Sequence, residues 1–237
     1  MTTAPVTTSK LGFIEMLGRR PKLYDLLAAS PLIIWCILCL FSQWGDLRRD
    51  VMALHPMRLE MLGALDFVSR LLRFAFAGIL GTLVIVRRTP IKKHEGLLVR
   101  VIVLFGAYGG IAAQVFPVSP TLSPWLIGST ALTIGGTSFA IFSLLWLGRS
   151  ISIMPESRKL MTTGPYSIIR HPLYFGEQTA IVGIALQSGS LWVATILVVQ
   201  TICQIYRMRC EEEVLSESFP EYKAYRAKTA FIIPWLY

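Results

Sequence analysis

The stretch GPYSIIRHPLYFGEQ (Gly164–Gln178) leads directly into TAIVGIALQSGSLWVATILVVQTICQIY (Thr179–Tyr206), and RMRCEEEVLSESFPEYKAYRAKTAFIIP (Arg207–Pro234) follows. The apolar middle decides the fold. As one helix it would span about 42 Å at a rise of about 1.5 Å per residue, too long for a hydrocarbon layer of about 30 Å without a large tilt. Its centre reads QSGS at 187–190, a turn signal. The expectation is a helical hairpin, about Pro172–Leu186 and Leu191–Arg209, with a first arm that is short for a full crossing. Such a hairpin returns both polar flanks to one membrane face, where they would enclose a pocket.

The composition outside this region also points to membrane. The chain is 54% hydrophobic and only 16% charged, against about 25% charged residues in ordinary soluble domains. Mean hydropathy is +0.57. The formal charge of +9 does not make a nucleic-acid binder, because the basic residues flank apolar blocks, where they set topology and meet anionic lipid. Cys36 and Cys39 form a CxxC inside the apolar run PLIIWCILCLF. A redox or zinc role needs an accessible thiolate, so these read as lipid-facing or core thiols, and no metal-ligand spacing is visible. Residues 1–22 lack the apolar run and cleavage site of a leader. They read as a cytoplasmic tail, with a short interfacial helix at Leu11–Leu17.

Further apolar blocks lie at Leu26–Trp44, Phe67–Val86, Leu97–Val118 and Trp125–Leu147. With the hairpin they make an all-α, polytopic integral membrane protein of about six transmembrane or membrane-embedded helices. A charge-balanced segment, Gly45–Asp66, separates the first two blocks. Arg70 and Arg73 share a helix face in the first turns of the second; snorkelling to the interface or an anionic ligand accounts for them. The small residues of GAYGG (106–110) and Gly135-Gly136 favour close helix contacts. Lys10, Arg19, Arg20 and Lys22 precede the first helix; Arg87, Arg88, Lys92 and Lys93 precede the third; Arg149, Arg158, Lys159 and Arg170 precede the fifth; Lys223, Arg226 and Lys228 follow the sixth. Excess Lys and Arg marks the cytoplasmic side, so both termini and both polar motifs are expected there. The chain divides into an N-terminal tail (1–22), a helical scaffold (23–146) and a catalytic region (147–237).

Within the polar flanks, Pro165 and Pro172 restrain the backbone around Tyr166–His171, which lowers the ordering cost of holding a ligand. His171 reads either as a structural interface histidine or as a ligand contact. Arg207 and Glu211 are four apart and Glu212 is the next position round. A solvated charge run is one explanation. Arg207, however, lies close to the apolar block, where an unpaired charge is expensive, so it calls for an anionic partner: Glu211 or a bound molecule.

The elements GPYSIIRHPLYFG, RMRCEE and LSESFPEYKAYRAKTAFIIP, in that order across a hydrophobic hairpin, closely resemble the isoprenylcysteine carboxyl methyltransferase family and its wider relatives, the phospholipid methyltransferases. The resemblance spans about Leu147–Pro234. It implies an integral membrane enzyme that uses S-adenosylmethionine to methylate a lipid-borne or membrane-embedded carboxylate or amine at the cytoplasmic face, in a bacterial inner membrane. By that resemblance Pro165, Tyr166, Arg170, His171, Pro172, Tyr174 and Gly176 line the cofactor pocket. Glu212 helps hold the cofactor, and Arg207 and Glu211 stand beside the acceptor. The chain departs from the pattern at Phe219-Pro220, where many relatives have Phe-Gly, and at Ala230, where a basic residue is common. Two rival readings remain open. One is a nicotinamide-dependent membrane reductase of similar C-terminal arrangement. The other is a non-catalytic membrane protein or small transporter, which would more often carry mid-membrane polar residues or a repeated half.

Overall fold

The computed structural model describes residues 21–53, 61–94, 96, 99–106 and 125–234. The elements in chain order are α1 (Pro21–Ala53), α2 (Met61–Val86), β1 (Lys92–Lys93), a helical segment α3 (99–106), α4 (Trp125–Leu147), β2 (Glu156–Ser157), α5 (Pro172–Ser188), α6 (Leu191–Ser218) and α7 (Tyr222–Lys228). Among the described residues, four segments are long and apolar enough to cross a membrane: Lys22–Arg49, Gly63–Val86, Leu126–Ser150 and Leu191–Ser218. Large side chains such as Phe41, Leu191 and Trp192 stand exposed on them, as a lipid-facing surface requires. The expected tail helix at Leu11–Leu17, most of the block Leu97–Val118, and residues 107–110 of GAYGG lie outside the described residues.

Two helices run well beyond their apolar blocks. α1 continues past Trp44 to Ala53, and α2 begins at Met61 rather than near Phe67. Ion pairs of helical spacing support these extensions: Arg49 with Asp46, and Arg70 with Asp66 at 2.7 Å. Arg70 also approaches Asp46 at 3.9 Å and so links the two helices. Because α2 starts early, Arg73 stands in the middle of the helix and not in its first turns. Its Nη1 donates to Ser69 Oγ at 3.2 Å, and its side chain faces the interior cavity described below. Pro31 has no N–H for the Leu27 carbonyl four residues back; Ser30 Oγ donates to that carbonyl instead, at 2.8 Å.

α2 packs between α1 and α4, and α4 lies against α5. The α1–α2–α4 core is built from Ala29, Leu32 and Cys36, then Leu80 and Val84, then Ala140 and Leu144. α4 and α5 approach backbone to backbone. A Cβ on Gly176 would lie 2.6 Å from Ala140 N, and one on Gly136 would lie 2.7 Å from Gly176 O. Gly136 thus makes the expected close contact, whereas Gly135 faces open space. The QSGS segment breaks the chain as expected: Gly189 takes the left-handed conformation at φ 59°, and α6 starts two residues later. α6 then runs to Ser218, about two turns beyond the expected Arg209.

The connections that carry the basic residues meet at one end of the bundle. Arg88 N donates to Arg149 O at 2.9 Å, and β1 pairs antiparallel with β2, with Lys92 opposite Ser157. Beneath them Asp25, 3% exposed, accepts from both Arg87 and Arg158. Arg158 also donates to Glu156 at 2.6 Å. This buried network locks the start of α1, the end of α2 and the α4–α5 connection together. In the sequence, Arg87 and Arg158 serve only as topology markers.

Candidate active site

Consecutive side chains on a helix diverge by about 100°, and at this end of α6 they reach separate partners. Glu211 accepts from the Tyr174 hydroxyl and pairs with Arg207 Nε at 3.3 Å. Glu212, nearly fully buried, accepts from Arg170 Nε at 2.5 Å and lies 3.4 Å from His171 Nε2. Glu213 turns away toward His94. Arg207 Nη2 donates to Ser152 O at 3.1 Å, and its guanidinium lies 5.0 Å from the centre of the Tyr174 ring, within cation–π range.

The RHP element is fixed from both sides. Gly164 opens it at φ 62°, with the Trp146 ring so close that a Cβ would fall 2.5 Å from Cδ2; only glycine fits that position. Pro165 and Tyr166 are buried in the short turn that follows, and Pro172 occupies the first turn of α5. The C-terminal segment closes over the element. Arg170 N donates to Ala230 O at 2.9 Å, Ala230 N donates to Ile168 O at 3.1 Å, and Arg170 Nη1 reaches Thr229 O. Ala230 does this through its backbone alone, so the departure from a basic residue leaves the closure in place. Phe231 packs edge-on against His171, with ring centres 5.0 Å apart.

A cavity of about 270 Å3 opens among these groups. Its wall includes Tyr166, Arg170, His171, Tyr174, Arg207 and Glu211, and it continues between Leu32, Trp35, Phe76 and Leu80 of the spanning helices. Pro165, Pro172, Gly176 and Glu212 stand behind this wall: the prolines shape the turn, Gly176 seats α5 on α4, and Glu212 holds Arg170. Among the described residues, five buried side-chain atoms make no hydrogen bond of good geometry: Gln43 Oε1, His171 Nε2, Gln204 Oε1, Arg207 Nε and Tyr222 OH. Of these, His171 Nε2 and Arg207 Nε lie 3.4 and 3.3 Å from Glu212 and Glu211. All five residues line this one cavity. Buried polar groups are nearly always well hydrogen-bonded, so this cavity is the candidate ligand site.

The polar wall suits S-adenosylmethionine. Arginines are present for a carboxylate, acidic groups for an amino group and a sulfonium, and aromatic rings for a cation or a base. Burial, helped by the charge of Glu211, pushes the Tyr166 phenol well above its usual range. Burial likewise raises Tyr222 and pushes Tyr225 up to about 12. These phenols therefore stay protonated at physiological pH.

Sequence reading misses a second polar layer. Glu177 lines the cavity and accepts from Gln204 Nε2 at 3.3 Å. Gln200 accepts from Gln178 Nε2 at 3.0 Å and donates to Gly106 O at 2.9 Å. Polar side chains inside apolar runs are the available signal, and Gln200 and Gln204 share a face of α6.

The phospholipid methyltransferase family model matches residues 125–222, which takes in α4, the RHP element and the three glutamates. The chain is 37% identical over 114 residues to the nickel-cobalt-cadmium resistance protein NccN of Alcaligenes xylosoxydans xylosoxydans. That match covers 46% of this chain and 53% of that protein. It is 31% identical over 150 residues to the cobalt-zinc-cadmium resistance protein CzcN of Cupriavidus metallidurans, covering 62% of this chain and 66% of that protein. The matches thus span between about half and two thirds of the length of these curated relatives. Residues 125–222 form a membrane-embedded helical segment similar to the phospholipid methyltransferases.

Proposed function

We propose that this chain is an S-adenosylmethionine-dependent methyltransferase acting on a lipid-borne or membrane-embedded acceptor at the cytoplasmic face of a bacterial inner membrane. The observation that carries the reading is the cavity that gathers the described buried side-chain polar atoms lacking a well-formed hydrogen bond and runs from the arginine–carboxylate end into apolar helices. The family match over residues 125–222 supports the same reading. Both termini are taken as cytoplasmic, and α5 with α6 as the membrane-embedded hairpin among six helices, because the basic connections follow the positive-inside pattern.

S-adenosylmethionine supplies an electrophilic methyl group on a sulfonium cation. In this reading Tyr166, Arg170, His171 and Tyr174 hold it, with Pro165, Pro172 and Gly176 fixing their backbone and Glu212 acting through Arg170 and His171. Arg207 and Glu211 meet the acceptor. A carboxylate acceptor is already ionised at neutral pH and needs only to be aimed by Arg207. An amine acceptor needs its lone pair free, and Glu211 would take the proton. The apolar stretch of the cavity would take the acceptor's lipid portion, and the closed C-terminal segment would exclude water from the reacting groups. The relatives are named for resistance to divalent metals; carried to this chain, that would place the methylated product in a metal-stress response.

The test is a transfer assay with methyl-labelled S-adenosylmethionine, purified protein and a total membrane extract. Label is expected in the lipid-soluble fraction, and alkali separates a labile methyl ester from a stable N-methyl product. Bound cofactor with no label in either lipid or membrane protein would remove the proposed activity.

A further inference from the structure

We propose that His94, Cys210 and Glu213 form a binding site for a borderline divalent ion of the class Zn2+, Co2+, Ni2+ or Cd2+. The site is separate from the cavity, which none of these residues lines. Their candidate ligand atoms all lie within 4.8 Å of one another. Cys210 and Glu213 are three apart on α6 and share a face, the face opposite to the one that serves Glu211 and Glu212. His94 is delivered from the α2–α3 connection. Its backbone N–H donates to Pro155 O at 2.9 Å, and Lys92 pairs with Glu217 at 2.9 Å one turn further along α6. The backbone at His94 is therefore held against this stretch of α6 by contacts that do not depend on the metal.

The donor set selects the ion. One thiolate, one imidazole and one carboxylate suit borderline metals, whereas Mg2+ and Ca2+ prefer oxygen alone. Cys210 is 4% exposed and packs beside Val99 and Val103, while the Glu213 side chain is 68% exposed. The sulfur side of the site is thus shielded from solvent, with the Tyr206 hydroxyl beside the thiol, and the carboxylate side is open for an ion to enter with a water as fourth ligand. His94 Nε2 and Glu213 Oε2 stand 3.6 Å apart, a separation that suits two ligands of one ion at bond lengths of about 2.0–2.2 Å. The Cys210 sulfur lies within 4.8 Å of both and draws in toward the ion on binding. A simple His94–Glu213 ion pair beside a buried thiol is the competing explanation, and it predicts no thiolate–metal bond.

The experiment titrates the purified full-length protein in detergent with Co2+ and follows thiolate-to-cobalt charge-transfer absorption, then competes with Zn2+. A saturable one-to-one band, displaced by Zn2+, is expected in the wild type. It should persist in Cys203→Ser, vanish in Cys210→Ser, and need about 100-fold more Co2+ in His94→Gln. Absence of the band from the wild type would overturn the site, as would an unchanged Co2+ affinity in Cys210→Ser. Since Cys210→Ser could disturb folding, thermal unfolding provides a second readout. Zn2+ should raise the wild-type midpoint and leave that of His94→Gln, whose change lies in a surface connection, unmoved. An equal rise in both would also overturn the site. None of these readouts depends on methyl transfer.

Discussion

Arg207 and Glu212 both lie in α6 near its polar end, yet their surroundings differ, and the proposed reading gives them different work. Arg207 lines the cavity and touches Tyr174, Glu211 and the Ser152 carbonyl. Glu212 lies behind the wall, holding Arg170 and His171. Arg207→Ala should lower turnover by about 10²-fold, the cost of a poorly aimed acceptor, with a smaller change in cofactor affinity. Glu212→Gln should do the reverse. Losing a charged hydrogen bond is worth about 1.5–3 kcal/mol, so cofactor affinity should fall roughly tenfold or more. Isothermal titration and turnover on the same preparations separate the two. A joint loss of both ligands and of thermal stability in Arg207→Ala would make that residue structural. At this scale the motif residues are legible because arginine, histidine and carboxylates crowd the edges of an apolar run. Glu177, Gln200 and Gln204 are not, because their role depends on how α5 and α6 are rotated against each other.

The pairing of α4 with α5 rests on the absence of side chains. At Gly176 an added methyl would meet the backbone of Ala140 and the Gly136 carbonyl, none of which can swing aside. Gly176→Ala should therefore lower stability by about 1–3 kcal/mol through overpacking and shift α5, which carries Tyr174 and Glu177. Gly135→Ala is the matched control. It lies on α4 next to the contact with nothing within 4 Å, so the better helix propensity of alanine should leave stability unchanged or raise it. Thermal unfolding of both variants in one detergent decides between these outcomes, and equal effects would mean that the close approach is not what holds α5. The break at QSGS is legible because glycine and serine interrupt an otherwise unbroken apolar run. The ends of α1 and α2 are not. Charged residues there look like loop by hydropathy, but pairs such as Asp66–Arg70 carry the helix onward.

Over the whole molecule, the positive connections read as marking one side, and the structure ties those connections to one another. Asp25 joins Arg87 and Arg158, β1 pairs with β2, and Arg170 is covered by the C-terminal segment. The buried Asp25 network is hidden in the sequence because one aspartate near the start of α1 gives no hint of two arginines distant in the chain. The central claim is that this end of the bundle is an S-adenosylmethionine site. The most direct measurement is equilibrium binding of labelled S-adenosylmethionine and of NADPH to the purified protein, each alone and in competition. Saturable one-to-one binding of S-adenosylmethionine, undisturbed by NADPH and weakened at least tenfold in His171→Ala, is the predicted result. Saturable NADPH binding with no uptake of S-adenosylmethionine, or an affinity for S-adenosylmethionine unchanged in His171→Ala and Glu212→Gln alike, would contradict it.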